Sequence, residues 1–425
     1  MKNLTESRLF FFKSISLIAG FLCNLLTTKI LVEKFGLESY AIFATVTSVP
    51  MLLPFADLGL GLIVFNHFVL EKDIKRRQEL FTRIFYFSIT FALIIGILLI
   101  SIKIFISTFL IYENRYLGII FLIIFLTFAS VPFALTYRIL QAQKKMVNVV
   151  LIQSVIPVII YLSLFGASLH TDNFSTIFLI IPSGTYLLIT LVSFISFRSY
   201  KFISPQKFPL FNVHRNELAT GWISIGCIIS SILILQVPRI ILTELGRYTP
   251  SANYSLVLLI LIPTTSIVSV MTSQAAAQII EETLSTKRIS LFTSALKKLI
   301  VAVILIAIGV LMLPLITSYL HMRFIDYEIA ISAAVLLLSS IPWQVAFYIL
   351  TTGVFLRRQF IILSSVVLCD FLILLLISPG NLYEIVYFVL LPTNIYLSIF
   401  STWNLKRFLN KDSSALFSQL KLMRK

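Results

Sequence analysis

Long apolar runs recur along the whole chain, and they constrain its fold more than any other feature. Twelve segments have the length and the low charge that a helix needs to cross a bilayer. They are about 10–32, 40–68, 82–109, 116–137, 148–169, 176–196, 219–242, 252–278, 299–320, 328–353, 360–378 and 385–404. Only 12% of the 425 residues are charged, against ~25% in a soluble domain. The sequence therefore predicts an all-α polytopic membrane protein with twelve transmembrane helices.

The cations are distributed unevenly between the loops, and this distribution predicts the topology. If the spans alternate in direction, 25 of the 34 Lys and Arg residues lie on the side that carries both termini. Four lie on the other side and five fall within spans. Cytoplasmic loops are the ones enriched in Lys and Arg, so both termini are predicted to be cytoplasmic. The net charge of +16 then needs no nucleic acid partner, and contacts with anionic membrane lipids are expected.

The two halves of the sequence match at a constant shift of 210 residues. Residues 29–36 read KILVEKFG and residues 239–246 read RIILTELG, while 131–140 read VPFALTYRIL and 341–350 read IPWQVAFYIL. Six spans per half give both halves the same orientation, so the repeat is parallel, with an axis along the membrane normal. We predict two six-helix lobes, residues 1–209 and 210–425, as in transporters that hold substrate between two halves.

Several features argue against an enzyme. The outer loops are too short for a catalytic domain, and no Walker A motif is present. The three cysteines are far apart in apolar runs and the four histidines have no metal-like spacing. We therefore predict no catalytic residues, no cofactor and no metal site.

Ionisable residues inside the spans are the candidates for function, because they are costly in a bilayer. The basic ones are Lys13, Lys29, Arg83, Lys103 and Arg239, and the clearly embedded acids are Asp57 and Asp370. This set has a net charge of +3, which favours an anionic substrate.

The repeat pairs Lys29 with Arg239, one cation in each half. Facing across a cleft, the two could hold a diphosphate or an acidic sugar from both sides. The alternative is that each long side chain extends to the outer headgroups. For Arg83 and Lys103, which lie near span ends, that alternative is favoured.

Four other embedded residues, Lys13, Asn24, Asp57 and Asp370, complete the predicted site. Lys13 and Asn24 share one face of the first span with Gly20 and Thr27, which predicts a cleft-lining face or a helix-packing face. Asp57 follows Pro50 and Pro54, so a carboxylate stands beside a loosened helix. Asp57 and Asp370 are predicted to bind a coupling ion or to pair with a cation.

The sequence resembles the polysaccharide-unit flippases, the O-antigen and teichoic-acid type translocases of the multidrug/oligosaccharidyl-lipid/polysaccharide exporter superfamily. The resemblance is carried by Gly36 to Tyr40, by Asp57-Leu58-Gly59, by residues 138–142, and by Gln236–Leu242 with Tyr254. Two positions differ from the pattern that such flippases often have. Pro238 stands where an acidic residue often precedes the arginine, and Asn66 and His67 stand where a basic residue often follows the Asp-x-Gly.

The resemblance implies a flippase of the bacterial inner membrane. Its cargo would be an undecaprenyl-diphosphate-linked oligosaccharide, and its partners a polysaccharide polymerase and a chain-length regulator. Two other functions stay open. One is a multidrug or cation antiporter of the same superfamily, which would prefer acidic residues in its interior. The other is a membrane-embedded polysaccharide polymerase, which normally carries a large outer loop.

Overall fold

The computed structural model of the chain is helical wherever it describes an element. It describes residues 2–52, 158–160, 162–171, 215–281, 285–319, 325–350 and 356–409, together with single positions between 79 and 104. The long helices are α1 (Lys2–Leu52), α2 (Arg215–Glu244), α3 (Tyr248–Glu281), α4 (Ser285–Tyr319), α5 (Tyr327–Leu350), α6 (Leu356–Ile377) and α7 (Leu391–Leu409). A π-helical turn, Glu384–Leu390, leads into α7.

Four described helices are long and apolar enough to cross a membrane. They are Thr286–Tyr319, Tyr327–Ala346, Gln359–Ile377 and Glu384–Arg407, and they coincide with the last four predicted spans. The outward faces of α4 and α6 are apolar, with Val301, Leu305, Leu368 and Leu376 all more than half exposed. Side chains of this kind need a lipid environment, so the prediction of an all-helical membrane protein is confirmed. The count of twelve spans stays a prediction.

Glycines break or end helices at the two repeat-related positions. Gly36 interrupts α1 with φ 82° and ψ 168°, between the first two predicted spans. Gly246 follows α2 with φ 70°. There the Arg247 amide donates to the Leu242 carbonyl and the Gly246 amide donates to the Thr243 carbonyl, which is the Schellman pattern of helix termination. Positive φ is a conformation that side chains with a Cβ adopt at a cost, so glycine suits both turns.

The helices group into two compact units. One comprises Met1–Leu31 with Val46–Ile229, and the other comprises Val32–Thr45 with Ser230–Lys425. The predicted lobe boundary at 209/210 lies outside the described residues and stays a prediction.

Helix α5 lies at the centre of the second unit, where it packs against α3, α4 and α7. Its small residues Ala330, Ser332, Ala333 and Ser340 are buried, which lets neighbouring helix backbones approach closely. Trp343 Nε1 donates to Asn394 Oδ1 at 2.9 Å, so a hydrogen bond also joins α5 to α7.

Helix α2 is held against α6 in the same unit. Val237 and Ile241 of α2 pack with Leu374 of α6 and Val389 of the π-helical turn. A hydroxyl contact of 3.1 Å between Ser230 and Ser364 lies further along the same two helices. This packing brings the second-half candidates Arg239 and Asp370 into one unit.

Candidate functional site: buried charges in the second unit

Arg239 lies on α2 and is 5% exposed. Its guanidinium donates a hydrogen bond to Oε1 of Gln236, one turn earlier on the same helix. Its Nε has no hydrogen-bond partner among the described residues. A side chain that extends to the headgroups would be exposed at its tip, so this burial argues against that interpretation for Arg239.

Two buried tyrosines interact with Arg239. Tyr40 and Tyr254 are 3% and 0% exposed, and both interact electrostatically with the guanidinium. The Tyr254 hydroxyl also donates to the Leu235 carbonyl at 2.8 Å, just before Pro238. Phenol oxygens are polar without being charged, so they give the cation a polar setting and leave its charge uncompensated.

Hydroxyl groups continue the polar cluster toward the end of α2. Thr243 Oγ1 donates to the Arg239 carbonyl at 2.9 Å and lies 2.8 Å from Ser251 Oγ of α3. Thr45 Oγ1 lies 2.9 Å from Thr243 Oγ1, and Thr45 belongs to the segment Val32–Thr45 of the same unit. A residue of the first half of the sequence is therefore joined to the end of α2.

Asp370 is the second buried charge, on α6, and it is 2% exposed. Thr393 Oγ1 donates to Asp370 Oδ1 at 2.6 Å, while Oδ2 has no hydrogen-bond partner among the described residues. Asp370 and Tyr254 interact electrostatically. A carboxylate with one free oxygen in a buried setting is suited to exchange a proton or to accept a cation.

The structure places the other predicted site residues as follows. Asn24 and Lys29 lie on α1 and are partly buried. The backbone of Lys13 is in α1, while its side chain and the whole of Asp57 lie outside what the structure describes. Asn24 and Lys29 belong to one compact unit and Arg239 and Asp370 to the other. The predicted pairing of Lys29 with Arg239 across a cleft therefore stays a prediction.

Several of the hydroxyl residues that contact these groups could not be recognised from the sequence. Thr45, Thr243, Ser251 and Thr393 are hydroxyl residues in apolar runs, where they most often bond to their own helix, as Thr27 does to the Cys23 carbonyl at 2.8 Å. Thr393 follows Pro392. A polar residue beside a proline in a span is the feature of the sequence that indicates a functional position there. Among the described residues no group of three or more His, Cys, Asp or Glu could hold a metal ion.

Comparison with known proteins finds similarity in structure but none in sequence. No protein-family profile matches the sequence, and no characterised protein matches it. A crystal structure of MATE in complex with MaD5 superposes with a TM-score of 0.64 at 13% identity, covering 96% of each chain. The fold is MATE-like. A MOP superfamily transporter from Pyrococcus furiosus, described as having a binding pocket of reverse polarity, superposes with a TM-score of 0.60 at 12% identity, covering 93% of this chain and 95% of that one.

An outward-facing MATE family transporter of the MOP superfamily is similarly close. Its TM-score is 0.58 at 12% identity, with coverage of 95% of this chain and 96% of that chain. The alignments with these structures therefore extend over nearly the whole chain. At such low identity the likeness extends to the fold alone, so the cargo has to be argued from the residues.

Proposed function

We propose that this MATE-like protein is a flippase that moves an undecaprenyl-diphosphate-linked oligosaccharide from the cytoplasmic to the outer face of the bacterial inner membrane. The observation that carries the proposal is the buried Arg239, which has a free Nε and no carboxylate partner among the described residues. A buried cation without an opposite charge is costly, and an anionic cargo would offset that cost during transport.

The net charge of the embedded residues supports the same cargo. With Lys13 and Lys29, Arg239 forms a cationic set that suits the two phosphates of the carrier lipid. The reverse-polarity pocket of the Pyrococcus furiosus transporter also indicates that this fold can carry pockets of more than one polarity. The proposed partners are the polymerase and chain-length regulator that would receive the flipped unit, and anionic lipids at the cytoplasmic surface.

Replacing Arg239 tests the proposal. Arg239→Gln and Lys29→Gln should each lower surface polysaccharide at equal membrane abundance, because each removes one charge that would face the diphosphate. A charge-assisted hydrogen bond contributes roughly 1.5–3 kcal/mol, so the flipping rate should fall about tenfold or more. Arg247→Gln is the matched control, since Arg247 is exposed just beyond the same helix. Unchanged polysaccharide in the Arg239→Gln, Lys29→Gln double variant would contradict the proposal.

A multidrug or cation antiporter is the second candidate, and the buried Asp370 is the observation that favours it. A carboxylate with one free oxygen suits a cationic drug, whereas Arg239 would repel it. Asp370→Asn should then raise the sensitivity of the cell to cationic drugs and leave polysaccharide unchanged. The flippase proposal expects unchanged drug sensitivity when the whole gene is removed.

A further inference from the structure

One exposed face of α4 changes from polar to apolar at a single place along the helix. Between Thr286 and Lys298 the exposed residues are polar or basic, apart from Ile289. From Ile300 to Ile316 every exposed residue is apolar. The exposed positions of both parts are spaced by three and four residues, so they form one continuous face of the helix.

The apolar part of this face has the length of the hydrocarbon core of a bilayer. Ile300 is 48% exposed at one end, and Tyr319 is 87% exposed at the other. Tyr319 stands nineteen residues after Ile300, which is about 29 Å along a helix, and the hydrocarbon core is ~30 Å thick. Tyrosine is also enriched at the edges of the membrane. Lys297 and Lys298, within one turn before Ile300, therefore lie in the headgroup layer.

Helix α7 shows the same order of residues where its apolar face ends. The exposed Ile399 is followed by Trp403, and the exposed Lys406 and Arg407 come one turn later. The guanidinium carbon of Arg407 lies 3.7 Å from the centre of the Trp403 ring. If successive spans cross the membrane in opposite directions, this end of α7 and the basic end of α4 are on the same side, the predicted cytoplasmic side. Both helices therefore carry basic residues where their apolar faces end on that side.

The basic part of α4 has no opposite charge on its own helix. The sequence of α4 contains four cations and no acidic residue. Arg288 is buried, whereas Lys297 and Lys298 are exposed beside the exposed Ser294, one turn earlier. Val301, one turn later, is 60% exposed. Two ammonium groups and a hydroxyl group next to an apolar strip are complementary to a phosphate headgroup and its acyl chain.

We propose that this face of α4 is a binding site for an anionic phospholipid of the cytoplasmic leaflet. The phosphate lies against Lys297, Lys298 and Ser294, and an acyl chain lies along Val301 and Leu305. A zwitterionic lipid also carries a cation, which the lysines repel, so the site selects lipids with a net negative charge. The site goes beyond the proposed transport function and does not depend on the cargo, because it fixes the depth of α4 in the membrane.

Photo-crosslinking of the full-length protein in phosphatidylcholine vesicles tests the site. The probe is phosphatidylglycerol with a diazirine in its acyl chain close to the glycerol, and mass spectrometry of peptides locates the crosslinks. We expect labelling of the segment 301–305 that added phosphatidylglycerol displaces and added phosphatidylcholine does not. Each lysine at the surface strengthens the binding of an anionic lipid about fivefold, so combining Lys297→Gln with Lys298→Gln should weaken probe binding about 25-fold.

The matched control is Lys287→Gln, which removes the same charge from the same helix. Lys287 is exposed and stands ten residues before Lys297, about 15 Å further from the hydrocarbon core, so labelling should be unchanged. The wild-type competition stands alone if the double variant does not fold. Absence of labelling, as when a second protein molecule covers this face, would overturn the proposal. Equal displacement by phosphatidylcholine, or undiminished labelling in a folded double variant, would overturn it as well.

Discussion

At the scale of the residue, the bond between Thr393 and Asp370 is the contact whose loss is easiest to interpret. Thr393→Val keeps the shape of the side chain and removes the donor, which leaves both carboxylate oxygens without a partner among the described residues. Removing a partner from a buried charged group costs roughly 1.5–3 kcal/mol. We expect a lower temperature of thermal unfolding for the detergent-solubilised Thr393→Val protein.

A double-mutant cycle distinguishes this bond from general packing. Once Asp370→Asn has removed the charge, the added Thr393→Val substitution should cost less than it does in the wild type. Thr317→Val is a matched comparison, because its hydroxyl bonds to the Leu313 carbonyl of its own helix. Equal costs for Thr393→Val in both backgrounds would show that the hydroxyl does not stabilise the carboxylate.

The sequence could single out Arg239 and Asp370 as residues, but it could not predict their contacts. Charge stands out in an apolar run because burial in lipid is costly, and both residues are indeed buried. Threonine does not stand out, because its hydroxyl usually bonds to its own helix backbone. The pairing of Thr393 with Asp370 depends on the register of two helices, and apolar composition leaves that register open.

At the scale of the element, replacing glycine with alanine is expected to lower stability at two positions and to raise it at a third. Gly36 and Gly246 have positive φ, so alanine should cost about 1 kcal/mol or more at each. Gly309 lies inside α4, and an added Cβ would meet nothing within 4 Å, so alanine should stabilise that helix by about 0.5–1 kcal/mol. Thermal unfolding of the three single variants measures whether each substitution lowers or raises the stability of the protein. A stabilising Gly36→Ala would contradict the assigned backbone conformation.

The contact between Thr45 and Thr243 predicts a position at which a disulfide cross-link stops transport. The two hydroxyl oxygens are 2.9 Å apart, so cysteines at these positions can form a disulfide with little movement of the backbone. If access alternates between the predicted lobes 1–209 and 210–425, Thr45 and Thr243 belong to different lobes and separate in one state of the cycle. The Thr45→Cys, Thr243→Cys protein should therefore lose transport on oxidation and recover it on reduction.

The controls for this cross-link use the cysteines that the chain already contains. Cys23, Cys227 and Cys369 are free thiols, so the experiment begins from a variant in which all three are alanine. Each single cysteine variant should then be insensitive to oxidation. Full transport by protein in which the disulfide has formed completely would show that the two segments stay together throughout the cycle.

At the scale of the whole molecule, the last four predicted spans are confirmed, while the division into two lobes stays a prediction. Apolar runs located the last four spans because membrane insertion selects directly for length and hydropathy. The break at Gly36 also falls between the first two predicted spans. The segment Val32–Thr45 groups with residues beyond 230 in one compact unit. Contacts such as that of Thr45 with Thr243 are set by tertiary packing, and no local pattern encodes them.

The distribution of charge over the whole chain leads to a prediction about the driving force. If the excess of cations marks the cytoplasmic side and the cargo is the proposed lipid diphosphate, the cargo moves from a negative interior to a positive exterior. A membrane potential then favours export by ~2.3 kcal/mol per negative charge per 100 mV. Protein cations that stay within the bilayer neutralise the cargo during passage, but the charge that crosses is still that of the cargo.

Proteoliposomes with a potassium diffusion potential measure this effect. An inside-negative potential should raise the initial rate of outward flipping of a lipid diphosphate oligosaccharide, and an inside-positive potential should lower it. A neutral lipid-linked sugar of the same size is the control, because it carries no charge across the field. Equal rates for the diphosphate cargo at both polarities would mean that a compensating cation moves with it, and Asp370, with its free carboxylate oxygen, is the described residue placed to carry that cation.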